Sequence, residues 1–369
     1  MNGQWIGQYT GSDNGRIILN VDERPNTFEG IVYLHSTNSA LPSVVGSFQT
    51  PGKGRNFQFR VTGILPINPD TGLADVWDNV KTRYPDAQLS SFVDVEGSWN
   101  DSHLRLKWTN DVLMKGECDL PRSQADEPSE LAVKQMHWAE FKRHVEGLVT
   151  KRYLFRGQDQ QKRLRTAFHR SGRANMVRLV NEDIPALRRH LSARTKHVFN
   201  LLAPDETGAF YTLVQHHGYP TPLLDWSYSP YVAAFFAYRS IPNRKAALAP
   251  PDARVRIHIF DQAQWRADWP QPLQLLSAWL YVSVGEFLAI ENERLIPQQA
   301  ASTVTNVDDI EAYIRSMERG KTYLTAIDLP VKDRREVMGE LAYMGITAGS
   351  LFPGLDGACE ELRERNFDL

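Results

Sequence analysis

Two stretches of the chain concentrate residue types that can hold or act on an anionic ligand. In Lys151-Arg152-Tyr153-Leu154-Phe155-Arg156-Gly157-Gln158 a short apolar run delivers an arginine, then a glycine and an amide. The planar fork of Arg156 can donate two parallel hydrogen bonds to a phosphate or carboxylate. Gly157 lets the backbone turn, or a ligand come close. The bland alternative for Arg156 is a strand-end arginine paired with a neighbouring carboxylate. The second stretch, Gln215–Ala237, is denser: it contains His216-His217-Gly218, Pro220-Thr221-Pro222 and Leu223-Leu224-Asp225-Trp226-Ser227, then Ser229-Pro230. A short buried strand over 223–227 is expected to lead into a helix capped by Ser229 with Pro230 in its first turn. Such a strand-to-helix turn would present Asp225, Ser227 and free amide donors together, a natural place for an anion. As the bland reading, the histidines are turn residues and Asp225 orders the turn. His216 and His217 are not a metal pair, because adjacent side chains on a strand face opposite ways and no nearby carboxylate–histidine spacing completes a ligand set; no metal is expected.

The elements that must position these groups differ between the two ends of the chain. Over the first ~120 residues apolar and polar residues alternate, as in strands. The alternation marks Arg16–Asp22, Gly30–Leu34, Asn56–Val61, Phe92–Trp99 and Leu104–Trp108, punctuated by glycine, asparagine, aspartate and proline, and the opening Gly3–Gly11 resembles the first strands of lipocalin-like barrels. Residues 1–120 are therefore expected to form an antiparallel β-barrel or sandwich. The polar stretch Leu120–Glu130, with its two prolines, predicts an interdomain linker over 121–130 crossed by few contacts. Residues 131–369 read as a second, α+β domain. Helices are expected over Leu131–Val149, Met176–Ala186, Arg189–Asn200, Ser229–Arg239, Asp308–Gly320 and Lys332–Tyr343, with strands over Arg152–Arg156, Val255–Phe260 and Thr322–Leu329.

Bulk properties exclude several classes. The 369 residues carry 42 basic and 44 acidic side chains, a formal charge of -2 that gives no overall pull toward nucleic acid or anionic lipid. Basic runs such as Arg188-Arg189-His190 are more economically read as solvated helix faces. Two distant cysteines rule out a disulfide framework and suit a reducing compartment. The amino terminus lacks the features of a signal peptide, and the apolar run Tyr231–Tyr238 is too short to span a bilayer, so a cytoplasmic protein with no membrane partner is expected.

Phe155-Arg156-Gly157-Gln158 resembles the first signature of the FRG domain family. The segment from His216-His217-Gly218 through Pro220-Thr221, Leu223-Leu224-Asp225-Trp226-Ser227, Pro230 and Ala233-Ala234 to Phe236-Ala237 resembles its second signature almost throughout. A third segment is matched in part, by Asn292, Arg294 and Gln298, with Ala300 where glycine and Ser302 where phenylalanine are usual. The resemblance spans ~60% of the chain and leaves the first 120 residues untouched. The order of the motifs is similar to that of ADP-ribosyltransferases of the Arg-Ser-Glu kind. That similarity implies an ADP-ribosyltransferase-like fold with NAD as substrate. Arg156, Gly157, Gln158, His216, Gly218, Thr221, Trp226, Ser227 and Arg294 would line the NAD site, with Trp226 as an aromatic wall. Asp225, His217, Glu293 and Gln298 would be the catalytic candidates. Gln298 stands where those enzymes carry a glutamate, and a neutral amide can neither act as a base nor offset an oxocarbenium charge. Asp225 is the first replacement and Glu293 the second. The implied function is transfer of ADP-ribose to a protein or nucleic acid, or NAD hydrolysis; the sensor-plus-effector arrangement of the two parts suggests a bacterial toxin or phage-defence effector. A ligand or protein partner would then occupy the β-domain. The alternative is a non-enzymatic module that binds a nucleotide or phosphorylated ligand.

Overall fold

In a computed structural model, which describes residues 1–367, eight antiparallel strands close into a barrel. They are β1 (Gly3–Gly11), β2 (Gly15–Glu23), β3 (Phe28–Ser36), β4 (Val44–Gln49), β5 (Asn56–Pro66), β6 (Phe92–Trp99), β7 (His103–Asn110) and β8 (Lys115–Pro121). Pairing of Thr10 with Glu117 and Gly11 with Gly116 joins β1 to β8, which leaves no open edge. Of the two architectures left open by the alternation, the barrel is the one formed. Its inward residues make one apolar core that includes Trp5, Ile17, Leu19, Val21, Phe48, Phe57, Leu106 and Leu120. The alternation did not mark β4 and β8, and their inward positions explain why. Gly46 fills one in β4, and Gly116 and Cys118 fill two in β8, so the apolar signal is faint there.

The remainder builds a seven-stranded sheet in the order β13-β14-β11-β10-β12-β15-β9. Its strands are β9 (Val133–Gln135), β10 (Tyr153–Gln158), β11 (Leu223–Ser227), β12 (Arg254–Asp261), β13 (Val282–Gly285), β14 (Ala300–Thr305) and β15 (Leu324–Pro330). All neighbours are antiparallel except β15 and β9. Helices Trp138–Glu146, Pro230–Arg239 and Arg334–Tyr343 bury Phe155, Ile257, Ile259 and Ile327 in one cluster. Leu154, Leu224, Trp226, Phe260 and Trp265 belong to another.

Several expected elements are corrected. Residues 133–135 form β9, so the helix expected from Leu131 starts at Trp138, where a capping box joins His137 and Glu140. No helix covers Arg189–Asn200 in full; helix Ile184–Leu191 stops, and the backbone N–H groups of His197 and Asn200 bond to Glu291 and Glu206. Helix Pro204–His216 was not anticipated, because 208–214 are buried on every side and show no polar stripe. The stretch 120–130 is not free of contacts. Leu120 and Pro121 belong to β8, and Ser129 donates to Glu311 Oε2 at 2.7 Å and its N–H to Gln161 O at 3.0 Å.

The barrel is also clamped directly to the second part. Asp22 of β2, 0% exposed, accepts from Arg173 Nε at 2.7 Å and from the N–H groups of Ala174 and Asn175 at 2.9 and 3.0 Å. Gln4 of β1 donates to Asn306 O at 2.7 Å and accepts from the Asp308 N–H at 3.0 Å.

Candidate functional site

Strands β10 and β11 are sheet neighbours but pair at one position, Phe155 with Ser227, so the sheet opens beyond it. Arg156 sits at this opening. Its Nη1 donates to the Asp225 carbonyl of β11 at 2.6 Å, and its Nε reaches Gln158 Oε1 at 3.4 Å. Among the described residues Arg156 forms no ion pair, and its Nη2 makes no hydrogen bond. Burial pushes its pKa down to about 10, against the pull of the Asp225 carboxylate and with the push of Arg170. A desolvated guanidinium without a carboxylate is unusual, since buried charges are normally paired. The strand-end salt bridge is therefore not what this residue makes.

Asp225 is held by a short chain of polar groups. Thr221, fully buried, donates its hydroxyl to Gln215 Oε1, and Gln215 Nε2 donates to Asp225 Oδ1. Gln215 lies in the last turn of helix Pro204–His216, so that helix end fixes the carboxylate. The strand itself is fixed by β14, with Asp225 opposite Ser302.

Other expected site residues serve the scaffold. A Cβ on Gly157 would lie 1.8 Å from Ala233 O, so the close approach it permits is that of helix Pro230–Arg239. Gly218 has φ +87° and ends helix Pro204–His216, with Tyr219 N–H bonding back to Val214 O. Trp226 is 4% exposed, packs 5.6 Å from Phe260 and donates its indole N–H to Thr303 at 3.1 Å. Its ring faces the core and offers no wall to a ligand. Ser227 donates to Gln298 O at 2.7 Å and accepts the Ser229 N–H at 3.0 Å, while Ser229 caps the helix as expected. Gln298, 7% exposed, donates its Nε2 to Leu351 O at 2.9 Å and ties the third segment to the chain's end.

The second and third segments do meet. His216 bonds Asn292 Oδ1 at 2.8 Å, and Arg294 donates to the His216 carbonyl at 2.9 Å. Glu293 and His217 are exposed, and among the described residues neither hydrogen-bonds nor ion-pairs with Arg156 or Asp225. Two residues near the opening carried no sequence signal. Arg170 ends the short helix Ala167–Arg170, and its charge is felt by both Arg156 and Asp225. His258 lies opposite Arg156 in the β10–β12 register, is 0% exposed and sits 3.4 Å from the buried Glu311. Burial holds His258 below the ordinary histidine pKa, partly offset by Glu311. Only the three-dimensional register reveals that pairing.

Residues 151–246 match the sequence model of the FRG domain. The match takes in Arg156, the Thr221–Gln215–Asp225 chain and the capped helix; Asn292–Gln298 and the barrel lie outside it. No curated protein matches the chain. Among the described residues no helix is long and apolar enough to cross a membrane.

Proposed function

We propose that the FRG-bearing part binds a nucleotide diphosphate of the NAD type at the opening between β10 and β11, and that it is an ADP-ribosyltransferase-like effector. The observation that carries this reading is Arg156: half-buried, without a carboxylate, and with one fork nitrogen free. An anion with two oxygens would satisfy the fork and remove the desolvation cost of the lone charge. Arg170 adds positive charge on the same side. Asp225, oriented by Gln215, supplies the negative charge that glycosidic chemistry on NAD needs at the ribose. ADP-ribose would pass to a macromolecule or to water. A role as toxin or phage-defence effector, with the barrel as the partner- or ligand-sensing part, follows from the same reading.

One observation favours the second reading, a binding module without chemistry. Gln298 is neutral, and its amide is tied to the Leu351 carbonyl. The residues fit an anion at Arg156 but offer no aromatic wall at Trp226. Incubation of the full chain with NAD and measurement of free nicotinamide separates the two. The effector reading expects release that falls by about 10²-fold or more in Asp225→Asn at equal folded fraction. NAD binding without any release would leave the binding module.

A further inference from the structure

The barrel is plugged at one end and hollow at the other. Met1 O accepts the Trp5 indole N–H at 2.8 Å, and Phe28 meets Trp99 edge-on at 5.8 Å, closing the end where β1 begins. Toward the other end the lumen holds an apolar cavity of about 50 Å³, walled by Phe48, Phe59, Val61 and Trp108 among others. It continues into a mouth cavity of about 110 Å³, since Leu34, Val44, Ile64, Val93 and Trp108 line both. Polar groups stand only at the rim: Tyr9 donates to Asp13 at 2.6 Å, and Asn110 donates to Ser90 at 2.6 Å. Protein interiors are packed at crystal-like density, and an apolar cavity of roughly 150 Å³ stays dry and admits a benzene-sized guest. We propose that this lumen is a binding site for a small, uncharged aromatic or branched aliphatic molecule of about the size of toluene, entering by the mouth. The guest would regain the dispersion contacts that the cavity walls lack.

The mouth is tied to the rest of the chain. Gln88, Leu89 and Ser90, from the long connection between β5 and β6, line it. An earlier part of that connection carries Gly72, whose carbonyl accepts the Ala278 N–H at 2.8 Å, with the Trp279 ring over its Cα. A guest that orders the mouth thus acts on a segment in contact with the FRG-bearing part.

Toluene added to the full chain, followed by thermal melting and by methyl NMR of Ile64 and Val93, tests the site. The proposal expects a saturable rise in the melting temperature of roughly 3–6 °C, with shifts confined to lumen methyls. Val93→Phe, which fills the cavity, should abolish the rise. Should that variant fail to fold, Ile64→Ala decides instead: the enlarged lumen should bind naphthalene, which the wild type rejects. No rise with toluene, a rise that persists in folded Val93→Phe, or no gain of naphthalene binding in Ile64→Ala would each overturn the proposal.

Discussion

At the scale of single residues, chemistry and scaffold are interleaved within two short motifs. Arg156 bonds the Asp225 carbonyl across the opening, whereas Gly157, Trp226 and Ser227 beside them hold helix and core. The two motifs make all five conspicuous, but residue type alone does not sort them; burial and hydrogen-bond partners do. Gln298 shows the same limit, because its role depends on Leu351, more than fifty residues on. If Gln298 is a tether, Gln298→Glu should not raise nicotinamide release. It should also destabilise the fold by ~1–3 kcal/mol, since a buried carboxylate would then face a carbonyl; denaturant melts and nicotinamide assays check both halves. His169 supplies a pH prediction. Burial, 1% exposed, pushes its pKa down to about 4 from 6.5, with Asp308 pulling the other way. The unfolded chain therefore binds more protons than the folded one between these values. Its contribution is intact above pH 6.5 and is lost as pH falls toward about 4. A neutral substitute, His169→Gln, should flatten the stability–pH curve in that window; an unchanged slope would remove His169 as the cause.

At the scale of elements, legibility followed the clarity of the apolar period. Strands β5, β6 and β7 and the helix capped by Ser229 alternate or cap cleanly and lie where the sequence places them. Helix Pro204–His216 is buried all round over 208–214, and β14 is small and polar (Ala-Ala-Ser-Thr-Val-Thr), so neither carries a period. The opening between β10 and β11 is a matter of strand pairing and has no local signature. Its shape depends on how helix Pro230–Arg239 seats against β10. Gly157→Ala would drive a methyl into the Ala233 carbonyl and should cost several kcal/mol, about 2–4 by analogy with overpacked cores. Ser229→Ala removes the cap and should cost about 1 kcal/mol. Equal melting midpoints for Gly157→Ala and wild type would mean that the helix does not sit this close.

At the scale of the whole molecule, the barrel and the FRG-bearing part are joined by buried polar contacts that composition suggested would be sparse. Asp22 is the centre of that joint, holding Arg173, Arg178 and two backbone N–H groups. Its removal in Asp22→Ala leaves those donors facing a void and should cost ~3–5 kcal/mol, read from denaturant unfolding of the full chain. The clamp holds Arg173, Ala174, Asn175 and Arg178, just beyond the helix that ends at Arg170, so the barrel bears on the surroundings of the proposed anion site. The central claim is that Arg156 receives a diphosphate with its fork. Calorimetric titration of NAD into the intact chain tests it most directly, with wild type and Arg156→Lys compared at equal folded fraction. A point charge in place of a bidentate pair should weaken binding by roughly 10- to 100-fold, about 1.5–3 kcal/mol. Equal affinity for the two proteins, or no NAD binding by the wild type, would contradict it.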